Sequence, residues 1–66
     1  MRTNLKKFKI DLGLKSKEMA EKLEINSVHY SNIERGKSDP SFGLLQKFEE
    51  EFAGQYEDIW ELFKKN

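Results

Sequence analysis

Three glycines divide this chain into short lengths of helical periodicity, and that limits the fold more than any other feature. Apolar residues recur at spacings of three and four, the period of an amphipathic helix, while nothing alternates with the period of two that a half-buried strand requires. The first segment places Leu5, Phe8 and Leu12 on one face, with Lys6, Lys7 and Asp11 turned to water, and it closes at Gly13. Glycine is suited to the left-handed residue that ends a helix, and Leu14 can fold back on the last turn. A second helix fits Ser16 to Leu23, with Met19, Ala20 and Leu23 on one face. At barely two turns it must be held by tertiary packing. Glu24 and Ile25 form a tight connection, Asn26 is a good N-cap, and a third helix runs from Ser27 to Arg35 with Tyr30 and Ile33 as its buried pair. Gly36 ends it.

Lys37 to Pro40 forms a polar turn, and Ser41 can cap a fourth helix carrying Leu45, Phe48 and Phe52, with Phe42 and Leu44 thickening the stripe. The acidic run Glu49 to Glu51 reads as a solvated face. Gly54 breaks this helix, and Tyr56, Ile59, Trp60 and Phe63 supply the apolar face of a fifth. The expected fold is all-α, a compact bundle of about five short helices in a single domain spanning residues 1–66.

Such a chain buries only a modest fraction of its unfolded surface. It has no cysteine, so neither disulfides nor a thiolate metal site can add stability. The lack of cysteine, of a membrane-length apolar run and of a secretory signal leads to the expectation of a soluble, cytoplasmic protein without a membrane association. Catalysis is not expected: His29 is the only imidazole, there is no thiol, and no glycine-rich phosphate loop follows a strand. His29 has no cluster of His, Cys or carboxylates around it in sequence to complete a metal site. No cofactor and no small-molecule ligand are implied.

Charge is informative through its distribution. Twelve basic and twelve acidic side chains cancel, yet Met1 to Lys37 holds nine Lys or Arg against five Asp or Glu, whereas Ser38 to Asn66 holds three against seven. A neutral domain can therefore present a basic face, and a polyanion responds to that local field.

The stretch from Leu5 to Trp60 resembles the Cro and phage-repressor type of helix-turn-helix domain and aligns with it without a gap. The segment Ile33-Glu34-Arg35-Gly36-Lys37 followed by Asp39-Pro40-Ser41 is similar to the end of the family's recognition helix. Met19-Ala20-Glu21-Lys22-Leu23 with Ile25 resembles its second helix and turn. A small Ala20 lets the second and third helices cross closely, and Ile25 plugs the gap beneath the turn.

The resemblance implies sequence-specific binding of double-stranded DNA by a transcriptional regulator, a repressor, with the third helix in the major groove. It assigns Ser27, Val28, Ser31 and Asn32 as base-contacting residues, opposite Tyr30 and Ile33. Asn32 is suited to adenine and Val28 to a thymine methyl. Ser16, Lys17, His29, Arg35, Lys37, Ser38 and Ser41 become the contacts to the DNA backbone. It also implies a homodimer on a palindromic site, for which Trp60 and Phe63 are the candidate interface, and a basic-acidic pair between Lys9 and Glu34.

Departures from the family pattern carry their own expectations. Glu24 replaces a turn glycine and should adopt positive φ. Lys15 and Ser16 stand where a capping threonine and a phosphate-binding glutamine are usual. Glu49 and Gly54 replace a small alanine and a valine, which should loosen the fourth and fifth helices. The competing function is a protein-interaction module on the same fold, since net charge is zero and no arginine lies among the base-contacting four.

Overall fold

The computed structural model of the chain describes residues 1–65. Its elements are α1 (Thr3–Asp11), α2 (Ser16–Lys22), α3 (Ser27–Glu34), α4 (Phe42–Glu51) and α5 (Ile59–Leu62). No strand occurs among the described residues, and no helix among them is long and apolar enough to cross a membrane.

Local chemistry fixes where the helices stop. Past α1, the Gly13 N–H donates to the Ile10 carbonyl at 2.9 Å and Leu14 N–H to Lys9 at 3.1 Å, with Gly13 at φ +74. Past α3, Gly36 at φ +83 and Lys37 make the same two bonds, to Ile33 at 3.0 Å and Asn32 at 2.8 Å. These are Schellman closures, in which a left-handed residue lets two N–H groups turn back to otherwise orphaned carbonyls. Past α2 the pattern repeats with Glu24 N–H bonded to Glu21 at 3.2 Å and Ile25 N–H to Ala20 at 3.0 Å, and Glu24 has φ 60. The positive φ expected of Glu24 is present, and it is the one non-glycine residue in that region among those described.

Helix starts follow side-chain acceptors. Asn26 Oδ1 accepts from His29 N–H at 2.7 Å and Ser41 Oγ from Leu44 N–H at 3.1 Å, as the sequence leads one to expect. Lys15 has no side-chain acceptor to offer α2. Only the reciprocal bond forms there, from Lys15 N–H to Glu18 Oε1 at 2.8 Å.

The core is continuous. Leu5, Met19, Tyr30, Ile33 and Phe48 are its largest fully buried members, joined by Phe8, Ala20, Leu23, Leu44, Phe52, Leu62 and Phe63. Aromatic rings dominate one end: Phe48 meets Phe63 edge-on with centroids 5.1 Å apart, and Phe8 meets Phe52 likewise at 5.4 Å. Tilted and edge-on rings of this kind add stability beyond the area they bury. α2 packs on α3, and α1 bridges α3 and α5.

Two apolar assignments from the sequence change. Phe42 does not thicken the α4 stripe: as the first residue of that helix it is 77% exposed, and Leu44 is the buried neighbour. Trp60 is not on the inner face of the last helix but is 70% exposed. Instead α5 is a single turn, Tyr56 precedes it half-buried, and Leu62 with Phe63 fills the core. Asp58 sets this register, because its Oδ1 accepts from Trp60 N–H at 2.9 Å and starts the helix only at Ile59.

Candidate nucleic-acid interface

Helix α3 presents the central surface. At about 100° per residue from Ser27, Tyr30, Ile33 and Glu34 fall near about 300°, 240° and 340°, and these three are buried. Opposite them, Arg35, Val28 and Asn32 fall near about 80°, 100° and 140°, with Ser31 close by at about 40°. Val28 is 70% exposed, Arg35 is exposed, and Ser31 and Asn32 are half-buried. Ser27 shares the Glu34 side of the helix and is exposed at its first turn. His29 is exposed on the other flank and lines a surface hollow of about 370 Å³ with Glu24, Ile25, Ser41 and Lys47.

The segment after α3 is drawn onto the end of that helix. The Asn32 carbonyl accepts from both Lys37 N–H at 2.8 Å and Ser38 N–H at 3.2 Å. Lys37 and Ser41 are exposed and Ser38 is half-buried. Ser41 Oγ already accepts the α4 capping bond, which leaves its hydroxyl proton free to donate.

The start of α2 is brought to the same region by Lys9. Its Nζ donates to Ser16 Oγ at 2.9 Å and lies 3.1 Å from Glu34 Oε2, so Ser16 stands beside the end of α3. The Ser16 hydroxyl is thus partly engaged inside the protein, while the neighbouring Lys17 is exposed. Lys17, Arg35 and Lys37 make no ion pair among the described residues, a property they share with Lys6, Lys7, Lys15, Lys22 and Lys64. Lys17 lies in the first turn of α2, whereas Arg35 and Lys37 follow α3.

A buried polar network supports this surface from behind. The expected pairing of Lys9 with Glu34 is present and almost wholly buried, with side-chain exposures of 11% and 9%. Tyr30 hydroxyl donates to Glu34 Oε2 at 2.9 Å. Burial raises the Tyr30 phenol far above its ordinary pKa, and the hydrogen bond to Glu34 and that carboxylate's charge push it further.

Arg2 and its pairing with Asp39 are what sequence reasoning missed. Arg2 is 3% exposed and its guanidinium reaches α3, the following loop and the end of α5. Its Nη2 meets Asp39 Oδ1 at 2.9 Å, and Lys65 Nζ meets the same oxygen at 3.1 Å. Lys65 first, then Arg2, holds the Asp39 carboxyl below its usual range. A single arginine ahead of the first apolar position carries no local sign of burial, since its partners lie between 31 and 61 residues away.

Of the assigned dimer pair, the structure separates the two members. Trp60 is exposed, whereas Phe63 is 8% exposed and packed on Phe48, so Phe63 belongs to the core.

A short helix seated on a second by a tight turn, with a stripe of exposed and half-buried residues that includes Asn32 and Arg35 on its outer side, is the arrangement of a helix-turn-helix domain. The chain belongs to the helix-turn-helix family, whose match covers residues 5–58. It is 30% identical over 60 residues to an uncharacterized HTH-type transcriptional regulator of Archaeoglobus fulgidus, covering 91% of this chain and 86% of that protein. No solved structure matches it significantly.

Proposed function

We propose that this protein is a sequence-specific regulator of transcription, a repressor, that binds double-stranded DNA as a homodimer with α3 in the major groove. The observation that carries the reading is the outward stripe of α3, Val28, Ser31, Asn32 and Arg35, seated on buried Tyr30 and Ile33 and followed by exposed Lys37. The name of the Archaeoglobus relative supports the regulatory role.

In this reading Asn32 pairs with adenine N6 and N7, Val28 contacts a thymine methyl, and Ser27 and Ser31 add weaker base contacts. Ser16, Lys17, His29, Arg35, Lys37, Ser38 and Ser41 hold the phosphates on either side. Self-association uses exposed Trp60, because a short recognition helix reads few base pairs and two copies place their helices about 34 Å apart, one turn of B-DNA.

Selecting bound sequences from a random duplex pool, then titrating salt on the winner, tests the proposal. The expected result is a palindromic site whose affinity falls steeply and linearly on a log-log plot as salt rises. Absence of duplex binding even at low salt overturns it in favour of a protein-interaction module on the same fold.

A further inference from the structure

Among the described residues, Arg2 has the side chain with the most hydrogen bonds drawn, and the DNA-binding reading does not use it. Arg2 Nε donates to the Phe63 carbonyl at 2.8 Å. Nη1 donates to the Ile33 carbonyl and, at 2.9 Å, to that of Ser38, while Nη2 bonds Asp39 at 2.9 Å. The Arg2 backbone N–H adds a bond to the Glu34 carbonyl at 2.7 Å. Of the four acceptors of the guanidinium, two are carbonyls at the C-terminal ends of α3 and α5, where the helix dipole favours a cation. The other two belong to the loop that displays Lys37, Ser38 and Ser41.

We propose that Arg2 is a positioning residue for DNA binding: its buried guanidinium holds the 37–41 loop against the end of α3 and ties both to the end of α5. This rests on the DNA-binding reading above. Asp39 supports it from the loop side, because a carboxylate among phosphate-contacting groups repels the backbone unless neutralised, and Arg2 and Lys65 both lie within 3.1 Å of it. Lysine cannot replace arginine here, since a point charge cannot span four acceptors on a planar fork.

Arg2→Lys in the full chain keeps the charge and removes the fork. Amide hydrogen exchange is the first measurement, on Lys37 and Ser38, whose N–H groups bond the Asn32 carbonyl. Their protection should fall while that of Tyr30 and Ile33 amides holds. The second is duplex affinity, expected to drop about tenfold near 0.1 M salt on preferred and scrambled sequences alike, with the salt slope smaller by about one phosphate contact. In a Lys37→Ala background the same change should add little, because Arg2 acts through the loop. Uniform loss of protection, or unchanged affinity and slope well below Tm, overturns the proposal and leaves Arg2 a brace for stability alone. If the unmutated chain binds no duplex, the DNA reading falls, and the exchange pattern still decides whether Arg2 holds the loop. Should Arg2→Lys fail to fold, Asp39→Asn loosens one arm at a side chain 74% exposed and is read by exchange at Ser38: faster exchange supports the proposal, no change overturns it.

Discussion

Lys9 and Glu34 form a buried ion pair, Nζ to Oε2 at 3.1 Å, and the same carboxylate oxygen accepts the Tyr30 hydroxyl at 2.9 Å. α1 is thereby locked to α3 at one rotation, and Ser16 is drawn in through its bond from Lys9 Nζ at 2.9 Å. Such a pair fixes geometry more than it adds net stability, because two charges lose their hydration when buried. Lys9→Met alone should cost about 3 kcal/mol by leaving Glu34 without its cation. Lys9→Met with Glu34→Leu should cost clearly less than the sum of the two single changes. Urea unfolding of the four proteins measures the coupling, and strict additivity would sink this account.

Alkaline pH should destabilise the fold through Tyr30. Its folded-state pKa is raised, by burial first and by Glu34 second, so the phenolate is disfavoured in the native state. Below about pH 10 the phenol is protonated in both states and nothing is lost; above it the unfolded chain alone releases the proton, and stability falls. Unfolding midpoints of the native protein and Tyr30→Phe, compared across about pH 8 to 11, should show a shallower decline for the variant. Parallel declines would mean that Tyr30 does not govern this limb.

Glu24→Gly should leave stability equal or raise it by at most about 1 kcal/mol, since glycine relieves the strain of φ 60 but enlarges the entropy of the unfolded chain. The lost contact to Lys47 is 3.7 Å long with Glu24 75% exposed, and pairs of that kind contribute little. Thermal unfolding gives the sign. A destabilisation above that size would contradict the closure drawn for α2.

Phe63→Ala and Trp60→Ala should differ in kind. Phe63 sits in the aromatic core, and truncating it should cost about 3 to 5 kcal/mol. That is enough to unfold much of a chain this small. Trp60 is 70% exposed, so its removal should change stability by less than about 0.5 kcal/mol while weakening self-association. Sedimentation equilibrium with and without duplex checks the second half. Unaltered dimerisation of Trp60→Ala would remove this residue from the interface.

Asn32→Ala and Lys37→Ala separate base reading from backbone holding. Loss of Asn32 should cost roughly 1 to 3 kcal/mol on the preferred site and flatten preference at one base position, with the salt slope retained. Loss of Lys37 should weaken preferred and scrambled duplexes alike and reduce the slope by about one. Circular dichroism first establishes that both fold. The reverse pattern would mean that another surface faces the groove.

Sequence alone determined what depends on neighbours a few residues apart. The helical period, the closures at Gly13 and Gly36 and the caps at Asn26 and Ser41 are all local, whereas the left-handed Glu24 was expected from the family resemblance. Each is a bond between groups within about five positions, so spacing and residue type suffice. The α3 residues assigned outward were legible for the same reason, since a helix with Tyr30 and Ile33 inside must turn Val28 and Asn32 out. Tertiary structure decided the rest. Trp60 and Leu62 are two positions apart, and which of them enters the core depended on where Asp58 started a one-turn helix and on what α1 left open to it. Whether Arg2 is a surface cation or a buried brace was settled by carbonyls and a carboxylate from three distant parts of the chain. A charge is buried only when enough partners converge to replace its water, and convergence of that kind is set by how the helices pack rather than by any pattern in the residues around it.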